Sequence, residues 1–199
     1  MIEVKKTGAY ENAQRPLSMH PNKFSLWLFI ITVVMLFGAF TSAYLVRREA
    51  GDWLQFKIPT IFLVNTCILV VSSVTMHLAY VAAKRDELTK MKTFILATIG
   101  LGLLFTGLQM IGAWAALMDI HVYLGGKESN PAGSFVYIFF IVHVLHLLAG
   151  IGFLLYLYGQ AVKFKVHSKN MLQMEMSATF WHFLDLLWVY LYVFLLINN

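Results

Sequence analysis

Five long apolar runs, separated by short polar connections, dominate the hydropathy pattern of this 199-residue chain. They cover Phe24 to Val46, Ile58 to Ala83, Thr93 to Met118, about Ser134 to Gln160 and about Ser177 to Ile197. A helix needs about 20 apolar residues to cross a hydrocarbon core of ~30 Å, and each run is long enough. The runs are continuous rather than alternating. A membrane barrel would need short strands of period two, whereas a helix satisfies its own backbone donors and acceptors without water. The pattern therefore predicts an all-α fold, a polytopic membrane bundle of five transmembrane helices. A polar tail, residues 1–23, precedes a five-helix domain over residues 24–199. The tail lacks the basic, apolar, small-residue order of a cleaved signal peptide and is expected to be retained. No internal repeat is visible, so a transporter built from inverted repeats has no support.

Composition agrees with the pattern. Hydrophobic residues make up 59% of the chain and charged residues 13%, too apolar a balance for a soluble domain to cover with polar surface. Mean hydropathy is +0.71. The formal charge of +5 would suggest nucleic acid in a soluble protein, but here the basic residues lie in the connections between spans, where they set orientation. Nucleic acid is not an expected partner. The single cysteine, Cys67, lies inside an apolar run, which excludes an intrachain disulfide and a metal site built on paired cysteines.

Charge on the connections predicts the topology. The tail and the second and fourth connections hold eleven Lys and Arg, and the opposite side holds four: Arg47, Arg48, Lys57 and Lys127. Positive charge is retained inside, so the N-terminus is expected in the cytoplasm and the C-terminus outside.

Ionisable residues within the spans are the candidates for chemistry, because each costs roughly 2.5–3.5 kcal/mol to insert and so has a partner or a task. His182 and Asp185 in the last span lie three apart and on one helix face, as do His143 and His146 in the fourth. Glu175 is two turns before His182 on roughly the same face. Packing between helices is the preferred reading of these groups, since that is the usual role of polar residues in membrane bundles. A proton relay, a lipid head-group site and haem ligation are the sharper alternatives. Haem would require rings from two helices, for which His77, His143, His146 and His182 are available. Gly100, Gly102, Gly107 and Gly112 allow close helix approach in the third span. Asn65 and Gln109 can bridge helices, and Trp188, Tyr190, Tyr192 and Phe194 are expected to form lipid-facing and interfacial surface. No nucleophile with a base, no phosphate loop and no soft-metal motif is present.

The ordered set of motifs resembles the cytochrome c oxidase subunit III family. EMSATFWHFLDLLWVYLYV is similar to that family's Glu followed seven residues on by a Trp-His-Phe-Val-Asp-Val-Val-Trp signature. VNTCILVVSSVT, FTGLQ and FFIVHVLHLLAGI follow in the family's manner, the last matching its His-x-x-His-x-x-x-Gly pattern. The likeness covers roughly Phe24 to Ile197. It implies a non-catalytic chain of an oxidoreductase complex in aerobic electron transport, a subunit III in the short five-helix bacterial form. It also implies no haem or copper in this chain, both being held by the catalytic subunit. The implied partners are subunits I and II of a haem-copper oxidase, membrane phospholipid bound between the helices and, on a larger scale, a respiratory supercomplex. The implied place is the bacterial inner membrane, and the implied role is support of assembly, proton uptake and sustained turnover. Glu175, Trp181, His182 and Asp185, with His143 and His146, match the family motifs. Two departures stand out. Ile31 and Thr32 fall where many relatives have a Ser-Glu pair, and Tyr80 and Val81 fall where the family has adjacent histidines. The alternative is an independent membrane cytochrome b or quinone-binding carrier using the membrane histidines.

Overall fold

The structure is a computed structural model and describes residues 20–49, 51, 58–119, 131–166 and 170–198. Most of the N-terminal tail and much of the first, third and fourth connections lie outside these residues, and with them Lys57, Lys127 and Lys169. The helices are α1 (Pro21–Glu49), α2 (Ile61–Lys84), α3 (Leu88–Gly107), α4 (Trp114–Asp119), α5 (Pro131–Val162) and α6 (Leu172–Asn198). A six-residue π-helical turn, Leu108–Ala113, joins α3 to α4 and makes them one interrupted rod. Five of these segments are long and apolar enough to cross a membrane, as the hydropathy runs predict.

Local sequence accounts for the helix ends. Proline at the first position of α1 and of α5 lacks an N–H that would have no partner there, and its φ is already helical. The turns after α2 and α5 close in the same way. Glu87 N–H donates to Ala82 and Asp86 N–H to Ala83, at 3.0 and 3.2 Å; Lys165 N–H donates to Gln160 and Phe164 N–H to Ala161, at 3.1 and 3.2 Å. This double bond pattern needs a left-handed residue after the helix, usually glycine. Here Asp86 (φ 56°) and Phe164 (φ 55°) take that place. Aspartate visits this conformation routinely, whereas a phenylalanine there bears roughly 1–2 kcal/mol of strain.

Helices α2, α3, α5 and α6 form a ring in which each packs on two neighbours, and α1 lies outside it against α5 and α6. Polar ties pin α1 to α6 at both ends. Lys23 forms an ion pair with Glu175 at one end. At the other, Arg48 donates to the Asn198 side chain at 3.2 Å and Tyr44 OH donates to the Asn198 carbonyl at 3.2 Å. The two helices therefore run parallel, as an odd number of alternating spans requires.

Large apolar side chains cover the outside, among them Met35, Val46, Ile111, Leu186 and Ile197. With both faces apolar, the buried polar residues distinguish the inner one. Thr41, Asn65, Ser72, Thr98, Gln109, His143, Ser177 and Asp185 are all buried. Several of them join helices by hydrogen bonds: Asn65 donates to Gln109 at 2.8 Å, as the sequence suggests, and the hydroxyls of Thr75 and Thr98 share a bond at 2.9 Å. The π-helical turn carries Gln109, and Trp114 just beyond it meets Tyr137 with ring centres 4.8 Å apart.

Candidate functional site

The last-span motif is built around Trp181, which is fully buried. Its indole N–H donates to Ser72 Oγ on α2 at 2.9 Å. The ring fits into spaces left by two glycines. A Cβ on Gly102 of α3 would stand 2.7 Å from Trp181 Cη2, and one on Gly150 of α5 would stand 3.4 Å from the same indole and 2.9 Å from Leu184. One side chain of α6 thus locks against α2, α3 and α5 together. Of the glycines singled out in the third span, Gly102 and Gly112 face neighbours, whereas Gly100 and Gly107 face open space. Their spacing alone could not distinguish them, because all four lie in an apolar run.

The next residue, His182, shares a 2.7 Å hydrogen bond through Nδ1 with Ser73 Oγ of α2. Asp185 is buried, and neither carboxyl oxygen has a hydrogen-bond partner among the described residues. Ser73 neighbours the carboxyl without making a full bond to it. The histidine and the aspartate thus share a helix face and a neighbouring serine but do not bond each other. Sequence reasoning passed over Ser72 and Ser73, although they stand in VVSSVT, the only place in the second span with two adjacent hydroxyls.

His143 and His146 also separate. His143 is fully buried with its ring 5.1 Å from Trp188 and 6.1 Å from Phe105, on the side of α3 and α6. His146 donates from Nδ1 to the Val142 carbonyl at 2.7 Å and lies 6.1 and 6.0 Å from Phe29 and Phe37 of α1. Three residues along a helix is a rotation of about 300°, and the remaining 60° is enough to aim the rings at different neighbours. Trp188 does not face lipid as the sequence suggests. It is buried, donates to Thr66 Oγ1 at 3.1 Å and packs against Phe62, Phe105 and Phe140. An indole whose N–H finds a hydroxyl on the next helix can enter the core.

A polar cleft of about 360 Å³ opens between α1, α2 and α6. Lys23, Trp27, His77, Tyr80, Glu175 and His182 line it. The His77 and His182 rings stand 6.4 Å apart across it, and the Lys23–Glu175 pair lies at its rim. Farther along the α1–α6 seam lies an apolar groove of about 510 Å³ lined by Val34, Phe37, Phe183 and Leu187, among others. Among the described residues, no three His, Cys, Asp or Glu side chains come together as a metal-holding group.

The described residues form a five-span membrane bundle whose intramembrane polar groups mostly join one helix to the next, beside a polar cleft. A sequence model of cytochrome c oxidase subunit III matches residues 2–198. The chain belongs to that family, whose members are non-catalytic subunits of haem-copper oxidases. It is 29% identical over 202 residues to cytochrome c oxidase subunit 3 of Mus musculus, a match covering 96% of this chain and 75% of the mouse protein. It is 25% identical over 180 residues to a probable quinol oxidase subunit 3 of Staphylococcus haemolyticus, covering 86% of each. The independent-cytochrome alternative gains no support from these relatives. His143 and His146 are turned to separate aromatic surroundings and do not form a facing pair.

Proposed function

We propose that this chain is the supporting subunit of a bacterial respiratory oxidase, seated in the inner membrane beside catalytic subunits I and II with its N-terminus in the cytoplasm. Its task is to hold the assembly together, keep proton uptake effective and prolong turnover, while haem, copper and oxygen chemistry stay in the catalytic subunit. Glu175, Trp181 and His182 act in this role as helix connectors, and Asp185 is the buried acid of the same motif. The observation that supports the reading is the Trp181 lock, in which the motif's tryptophan joins α6 to α2, α3 and α5.

Phospholipid fits the cleft and the groove together. Lys23 offers an ammonium to a head-group phosphate, Glu175 can accept from a cationic or hydroxylated head group, and Val34, Phe37 and Leu187 provide a surface for an acyl chain. The test compares the oxidase purified with and without this chain. Initial oxygen reduction is expected to be similar, with activity decaying faster during sustained turnover when the chain is absent. A chain that never co-purifies with a haem-copper catalytic subunit would refute the proposal.

A further inference from the structure

The turn after α5 stands apart from both the Trp181 lock and the cleft. Helix α5 has 32 residues, about 48 Å at 1.5 Å per residue, which exceeds a ~30 Å hydrocarbon core. Its C-terminal turn therefore reaches head-group level. There Phe164 is 65% exposed in a left-handed conformation, between exposed Lys163 and Lys165. Lys92 of α3 places Nζ 4.3 Å from the centre of the Phe164 ring. Glu87 is engaged with Lys90 at 2.8 Å, and among the described residues no carboxylate pairs with Lys92, Lys163 or Lys165. The buried neighbours Ala161 and Val166 fix the turn, so the phenyl ring is held outward by the backbone rather than packed inside.

A strained residue persists where its surroundings hold it, and such residues gather at binding sites. Among the described residues the phenyl ring, 65% exposed, meets the Lys92 ammonium group. We infer that the Lys163–Phe164–Lys165 turn, with Lys92, is a docking point for anionic phospholipid. The three ammonium groups face head-group phosphates, and the ring enters the boundary between head groups and acyl chains. Charge and depth together favour this occupant: three cations with no carboxylate partner among the described residues stand at an exposed aromatic ring, Lys92 over it and Lys163 and Lys165 on either side in sequence, at the level where aromatic and basic residues anchor membrane proteins.

The experiment uses the full chain in mild detergent, offered equal amounts of phosphatidylglycerol and phosphatidylcholine, with bound lipid counted by native mass spectrometry. The parent is expected to prefer phosphatidylglycerol. Lys163→Gln and Lys165→Gln should each lower that preference about fivefold, the equivalent of about 1 kcal/mol per basic residue at an anionic surface. Phe164→Gly should raise thermal stability without added lipid, by removing the left-handed side chain, yet lose most of the extra stability that phosphatidylglycerol gives the parent. Lys23→Gln, which bears on the cleft, should leave the Lys163 and Lys165 dependence in place, so failure at one lipid site does not count against the other. Unchanged preference in both lysine variants, with helical content intact, would overturn the inference. Competition by excess inorganic phosphate would reassign the turn to a free anion. In the assembled oxidase, protection of Lys163 and Lys165 from a water-soluble amine reagent in phosphatidylcholine alone would reassign it to a protein neighbour.

Discussion

Gly102 and Gly100 lie two residues apart on α3, and the structure gives alanine substitutions there opposite signs. At Gly102 a Cβ would meet Trp181 Cη2 at 2.7 Å and Cζ2 at 3.1 Å, well inside ordinary contact distance. The indole cannot swing aside freely, because its N–H is bonded to Ser72 and its other edge faces Gly150. Overpacking of this kind costs typically 1–3 kcal/mol. At Gly100 a Cβ would meet nothing within 4 Å, so Gly100→Ala should register only the helical advantage of alanine, about 0.8–1.0 kcal/mol. Gly102→Ala gains the same advantage and bears the clash. The difference between the two variants, about 1–3 kcal/mol, therefore isolates the Trp181 contact. It corresponds to roughly 5- to 150-fold in the unfolding equilibrium, measurable by denaturing-detergent titration followed by circular dichroism. Equal stability of the two alanine variants would show that Trp181 does not occupy the gap at Gly102, and the lock described for α6 would be wrong.

For Asp185, which has no hydrogen-bond partner among the described residues, Asp185→Asn and Asp185→Leu should both leave initial oxygen reduction largely intact, and Leu, which removes a buried unpaired polar group, should retain the subunit on detergent extraction at least as well as Asn. Complete loss of oxygen reduction in a complex holding the Asn variant at full stoichiometry would make this residue part of a proton path. Ser73→Ala removes the bond to His182, and its cost in denaturing titration should be ~0.6 kcal/mol and no more than about 1.7, the range of polar contacts between membrane helices. A cysteine at Thr89, in a chain with Cys67→Ser, should resist an impermeant reagent added outside intact cells, and labelling from outside would reverse the proposed topology. Glu87 is held below its ordinary pKa of 4.5 by its hydrogen bond and charge contact with Lys90. Its small stabilisation is present above 4.5 and disappears as pH falls through the lower folded value; Lys90→Gln should return the NMR titration midpoint of Glu87 toward 4.5.

The five spans were legible because hydrocarbon thickness sets a length threshold that the apolar runs pass, and because a backbone without water must form helices. The motif order showed the family for a related reason: Glu175, Trp181, His182 and Asp185 interrupt or punctuate an apolar run where polar groups are expensive, so each stands out. Direction was not legible in the same way. In a soluble helix the apolar stripe marks the inside, but here both faces are apolar, so periodicity could not show that Trp188 is buried or that Gly102 alone of its near neighbours meets an indole. The shared face of His143 and His146 was visible, but not the 60° that sends one ring toward Trp188 and the other toward Phe37. The π-helical turn at Leu108–Ala113 and the left-handed Phe164 leave no trace in composition, since both depend on tertiary contacts and local backbone geometry. The sequence by itself determined that the chain crosses a membrane five times and which residues are too polar to lie there without a role. Only the tertiary structure decided which helix each residue meets, because partners in this bundle are chosen by shape and hydrogen bonding between helices, with no difference in hydrophobicity to point the way.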